Sequence, residues 1–176
     1  QLVTKERIES MTIIDGRILG DIEKDIIKVA AVDCVALSNT CFTGLMKGTG
    51  MKQGAIATSA SWDTRDITVM GADEADMALA VNRIGELNGG SVVCAKGRVI
   101  AELPMPIMGI MSDLCMEEIA LRTQQVNQAA KKLGIIFEDP LLSLVTMTSA
   151  AIPYLKICEE GLVNLKDGKT LGLFVK

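Results

Sequence analysis

The sequence predicts an α+β domain: a mixed, largely antiparallel sheet carrying two main amphipathic helices, one domain over residues 1–176. Three observations support this. Short β-branched runs are joined by Asp-Gly and Lys-Gly turns, two longer segments repeat apolar residues at helical spacing and end in glycine, and no repeat or linker interrupts their order. At 176 residues the chain is long enough to bury a core of its own.

In chain order, Thr12 to Leu19 reads as two short strands around Asp15-Gly16, and Asp25 to Val32 as a buried strand. A glycine-rich passage follows, with Gly44, Gly48, Gly50 and Gly54. Its spacing misses the dinucleotide fingerprint by one residue, and no strand feeds it into a helix. The apolar run Gly54 to Ala57 leads to a compact polar cluster, and Ile67 to Met70 leads away as a strand. Asp73 is placed to cap a helix whose apolar face is Met77, Ala80, Val81, Ile84 and Leu87, ended by Gly89-Gly90. Ser91–Ala95 and Arg98–Leu103 form a hairpin about Lys96-Gly97, and Pro104 and Pro106 stop its pairing. A loop to Asp113 follows, with Ser112 or Asp113 as cap of a second helix running to about Leu133. Its inward face is Ile119, Val126, Ala130 and Leu133, and Gly134 closes it. Ile135–Phe137 reads as a strand; an apolar segment runs to Ala151, and short strands turn at Glu160-Gly161 and Asp167-Gly168.

Composition excludes several function classes. Apolar residues make up 49% and aromatics only 3%, so aliphatic side chains and methionine must fill the core, and stacking on nucleic-acid bases is disfavoured. A net charge of −4 and a pI near 4.9 speak against a phosphate-backbone surface. No apolar run is long enough for a membrane span. Five scattered cysteines form no metal or disulfide pattern and read as reduced thiols of a cytoplasmic protein. With no histidine, a Ser-His-Asp triad or an imidazole-based metal centre within this chain is ruled out. Neither a catalytic nor a metal-ligating residue is assigned.

The candidate ligand loop is Ser59, Trp62, Asp63, Arg65 and Asp66, approached through the glycine passage. One reading is a pocket that hydrogen-bonds a purine-like ligand, with Arg65 held by a carboxylate and Trp62 stacked on the base; the other is a solvated loop with a local ion pair and Trp62 filling a core or interface gap. Lys47, Lys52 and Arg83 are candidates to receive an anion near the glycines, or are simply solvated. Glu102 faces a site or is a strand-edge carboxylate. Met105, Met108 and Met111 line either a partner surface or the core.

The chain resembles the C-terminal domain of adenine deaminases of the amidohydrolase superfamily. The resemblance rests on Ile14-Asp15-Gly16-Arg17-Ile18, Asp25 to Ala30, Lys52-x-Gly54-Ala55-Ile56-Ala57, Asp76-Met77-Ala78, Ala80-x-Asn82-Arg83, Gly89-Gly90, Glu102-Leu103-Pro104-x-Pro106-Ile107 and Ile110-Met111-Ser112-Asp113. Glu138-Asp139-Pro140, Ile152-Pro153 and Gly161-Leu162-Val163 continue it. It implies a parent reaction of adenine and water to hypoxanthine and ammonia, with a divalent transition metal (Mn, Fe or Zn) in an upstream barrel of the same chain. This domain would then support the site or a homo-oligomer. The resemblance also implies a His-Asp-x-His-Asn pattern in the polar loop. Here Trp62 and Arg65 replace the histidines, Asp66 replaces the asparagine, and only Asp63 is kept. The family's acidic-basic-histidine trio is likewise replaced by Asp33-Cys34-Val35. The start at Gln1 favours a piece of a longer chain; the missing histidines favour the alternative, a free-standing, non-catalytic purine-binding or assembly module.

Overall fold

A computed structural model describes residues 3–34, 40–152 and 154–174; Val35 and Pro153 of the motifs above lie outside them. The chain opens with a hairpin, β1 (Ile13–Ile14) and β2 (Arg17–Ile18), about the predicted turn, where Asp15 and Gly16 both take positive φ as a type I′ turn requires. Then come β3 (Ile26–Val32), β4 (Cys41–Lys47), β5 (Ala55–Thr58) and β6 (Ile67–Gly71). Helix α1 (Glu74–Glu86) leads to β7 (Gly90–Ala95) and β8 (Arg98–Pro104), and α2 (Met116–Lys132) to α3 (Pro140–Val145). A 3-10 turn, Thr146–Thr148, precedes β9 (Leu155–Cys158), β10 (Gly161–Asn164) and β11 (Lys169–Leu171).

Six strands form the central sheet in the order β4-β3-β6-β5-β7-β8, and β9 to β11 form a smaller one. Every strand pairing among the described residues is antiparallel. Side chains alternate across the central sheet with period two. Ile27, Val29, Ala31, Ile56, Met70 and Val93 meet Val126, Ala129 and Ala130 of α2 and Leu144 of α3. Ala30, Ala57, Val69, Val92 and Cys94 meet Met77, Ala80 and Ile84 of α1. Methionine makes up for the scarcity of large rings: Met51 and Met70 are fully buried.

Several local expectations change. Ser112 and Asp113 do not cap α2: its N-cap is Cys115, without a side-chain bond, and the Ser112 hydroxyl instead accepts from the Leu114 amide. Ile135–Phe137 is not a strand, because its backbone serves the glycine passage, the Ile136 amide donating to the Thr49 carbonyl at 3.0 Å. The apolar segment after it contains α3, started by Asp139, whose carboxylate accepts from the Leu142 amide, with Pro140 in the first turn where its missing N–H costs nothing. β4 fell in the glycine passage and carries Gly44 in its interior. Asp73 caps α1 as expected, but Asn88, at φ +57, takes the left-handed position after the helix, ahead of Gly89.

The register separates the stretch 47–71 into two ends. Ala55 pairs with Gly71 and Cys94, at the end where Gly48 to Gly54 and the Lys96-Gly97 turn lie. Thr58 pairs with Thr68 and Ser91 at the opposite end, where residues 59–66 leave the sheet. Gly54 and Ser59 are therefore about 16 Å apart along an extended strand. The glycines do not approach the polar cluster. They allow close backbone contact instead: Gly50 and Gly54 have φ +75 and +70, and a Cβ on Gly50 would lie 2.7 Å from the Gly134 carbonyl oxygen. The Gly50 amide donates to Asp25 Oδ1 at 2.8 Å and the Lys52 amide to the Leu133 carbonyl at 2.8 Å, so this loop is stitched to the end of α2.

Candidate functional site

The opposite end of the sheet gathers the polar loop 59–66, the 3-10 turn, the β9–β10 turn and the loop after β8. Ser59 is 6% exposed and acts as a clamp: its hydroxyl donates to the Gly109 carbonyl at 2.6 Å and accepts from the Gly90 amide at 2.8 Å. Ser61, also buried, bonds Thr64 Oγ1 at 2.8 Å and Thr148 Oγ1 at 2.9 Å, while Thr58 bonds Ser91 across β5 and β7 at 2.8 Å. Asp63 is exposed, and its Oδ2 accepts from the Ala150 amide at 2.6 Å. Trp62 is 59% exposed, so it fills no gap in the core. Arg65 is exposed with φ +62, and no ion pair among the described residues includes it; the expected carboxylate partner is not there.

Asp66 differs from the others. It is 1% exposed, and Glu159 of the β9–β10 turn presents a second carboxyl to it. Burial, and then the proximity of Glu159, raise the Asp66 carboxyl to about 6, against the hydrogen bond from Thr64, which lowers it. Asp66 Oδ2 and Thr68 Oγ1, two residues apart on β6 and its approach, are buried without a partner among the described residues. Burial and the neighbouring Glu159 carboxyl both favour the protonated form of Asp66. Beside them, burial pushes the Cys34 and Cys158 thiols up, so both remain protonated. Lys156, 4% exposed, donates Nζ to the Thr146 carbonyl at 2.9 Å, and burial lowers its pKa.

The five candidate residues thus share one loop but divide in role. Ser59 and Asp66 are interior anchors at its two ends, Asp63 ties it to Ala150, and Trp62 and Arg65 face outward. Glu159, Ala150, Thr148 and Gly109 complete the arrangement, and no local signal in the sequence pointed to them. The three candidate anion cations are engaged elsewhere: Lys47 with Glu9 at 2.7 Å, Lys52 with the Ile22 carbonyl at 3.4 Å, and Arg83 with Glu102 at 2.8 and 3.0 Å and Glu86 at 2.8 Å. Glu102 is therefore a strand carboxylate paired to α1. Among the described residues no three of His, Cys, Asp and Glu are grouped so that they could hold a metal ion. The orphaned Asp66 oxygen therefore has no such group of donors around it, and a divalent transition metal does not fit there. No described helix is long and apolar enough to cross a membrane.

The family model of the adenine deaminase C-terminal domain matches residues 1–169. The chain is similar to an adenine deaminase of Kosmotoga olearia, 39% identical over 175 residues, covering 99% of this chain and 30% of that protein. It is equally similar, at 39% over 175 residues, to one of Thermosipho melanesiensis, with the same shares covered. A Brucella abortus adenine deaminase is 40% identical over 152 residues, 86% of this chain and 26% of that protein. The chain spans less than a third of the length of these relatives and matches their C-terminal part. With α1 and α2 on opposite faces of an antiparallel sheet and the match running nearly end to end, the chain belongs to the adenine deaminase C-terminal domain family.

Proposed function

We propose that this domain is the non-hydrolytic part of a cytoplasmic adenine deaminase-type amidohydrolase that converts adenine and water to hypoxanthine and ammonia. The Mn, Fe or Zn ion is held in a barrel elsewhere in the same polypeptide, and this domain packs beside it, supporting the site or a homo-oligomer through the 59–66 loop. The observation that carries this reading is the near-complete match to the C-terminal part of adenine deaminases by a chain whose described residues include no three His, Cys, Asp or Glu grouped to hold a metal ion. Trp62 and Arg65 are the loop residues free to meet a purine or the neighbouring barrel, one by stacking and the other by hydrogen bonding. Their exposure also favours a second reading, a stand-alone purine-binding or assembly module.

Ammonia release tests the first reading. The 176-residue chain supplied with adenine and any of the three metals should release none, whereas the full polypeptide encoded by the gene should; turnover by the chain alone, abolished by Asp63→Asn, would overturn it. A thermal-shift titration of the chain with adenine and hypoxanthine tests the second. A rise in midpoint that Trp62→Ala removes would support a purine module, and a flat response would refute purine binding by the isolated chain.

A further inference from the structure

We propose that the loop Ile107 to Met111, together with Met116 at the start of α2, is the face on which the upstream catalytic portion of a longer parent polypeptide seats. The proposal rests on the reading given above. Met108 is 72% exposed and Met116 74%, and Ile107, Ile110 and Met111 are each close to half exposed, while Met105, which enters the loop, is buried. The segment is therefore rooted in the core and displays its larger side chains beyond it.

This display is held in place. Ile107 and Met111 exchange two backbone hydrogen bonds of 3.1 Å, the Ser59 hydroxyl grips the Gly109 carbonyl, and a Cβ at Gly89 would lie 2.5 Å from Gly109 Cα. Met108 keeps a positive φ of 54, a conformation a methionine adopts only when its surroundings impose it. A fixed loop of exposed methionine and isoleucine suits an apolar surface, since methionine adapts to irregular contours.

Three observations select the occupant. Relatives of this chain have most of their length ahead of the matched part. The loop lies at the same sheet end as residues 59–66 and is bonded to them through Ser59, so its exposed methionines and the exposed Trp62 and Arg65 belong to one end of the domain. A tethered domain needs a smaller contact face than the roughly 800 Å² per subunit that a stable dimer uses, because it is held at high effective concentration.

Peroxide oxidation read by mass spectrometry tests this, because methionine oxidation follows exposure. In the 176-residue chain Met108, Met111 and Met116 should oxidise quickly, with the fully buried Met51 and Met70 as slow references. In the full-length polypeptide the three should be slowed several-fold while the references stay unchanged, and Met108→Asp should restore fast oxidation of Met111. Equal rates in both proteins would overturn the docking face while leaving the parent reading intact. A gene encoding no upstream domain would overturn both. Protection in the 176-residue chain that grows with its concentration would assign the face to a second copy and overturn the proposal.

Discussion

The two ends of the central sheet are built from the same 25 residues of sequence, Lys47 to Gly71, yet they solve different problems. At the glycine end the backbone itself is gripped: Gly50 lies against Gly134, Gly54 against the Cys94 carbonyl, the Lys52 amide on Leu133, and the Asp25 and Asp76 carboxylates accept from backbone amides. At the polar end side chains make the contacts, two buried polar atoms have no partner among the described residues, and large apolar groups stand exposed. A region whose hydrogen bonds close on themselves is a structural joint. A region that leaves methionines in solvent is the face to which the docking proposal above applies.

Substitutions should break this contrast in a graded way. The largest effect is expected for Gly54→Val, which combines φ +70 with a side chain driven into the Cys94 carbonyl and Leu133. A loss of about 4 kcal/mol, lowering the melting temperature by about 8–16 °C, should appear in calorimetry; a loss under about 1 kcal/mol would show that the joint yields. Next is Asp76→Ala. This carboxylate is buried in the first turn of α1 and accepts from the Lys96 amide at 3.0 Å and the Gly97 amide at 2.8 Å. Leaving those donors unpaired should cost about 2–4 kcal/mol in chemical denaturation.

At the polar end the expected effect depends on pH. Asp66 holds its proton up to about 6 when folded, against 3.8 as its ordinary value, so the folded state binds more protons between these limits and stability falls as pH rises through them. Asp66→Asn removes that dependence: the variant should melt a few degrees above the parent at pH 8 and level with it near pH 4. A variant less stable at pH 8 would reverse the assignment. The smallest effect is expected for Trp62→Ser, within about 0.5 kcal/mol, because the ring lies largely in solvent.

What was legible in the sequence was local. Asp15-Gly16 and Lys96-Gly97 announce their hairpins because both residues of each pair must take positive φ, and Asp73 and Gly134 mark helix ends by side-chain capping and a left-handed backbone. β4 was missed because CFTGLMK has an interior glycine and owes its strand state to pairing with β3. α3 is only six residues long, too short for periodicity, although Asp139-Pro140 was a readable start. Ile135–Phe137 has strand composition, but tertiary contacts with the glycine loop claim its backbone. In the candidate site, the members of the polar loop could be read off the sequence. The clamp of Ser59 on Gly109, 50 positions away, and the meeting of Asp66 with Glu159 depend on topology and left no local trace.

The Asp76 carboxylate has a further consequence. By joining the start of α1 to the β7–β8 turn, it ties helix and hairpin, neighbours in sequence, into one short-range assembly from Asp73 to Gly97. Such an assembly closes few long loops, so it is the part of the chain best placed to organise first as the polypeptide collapses. Native-state amide exchange should then find Lys96 and Gly97 opening together with α1, as one cooperative segment.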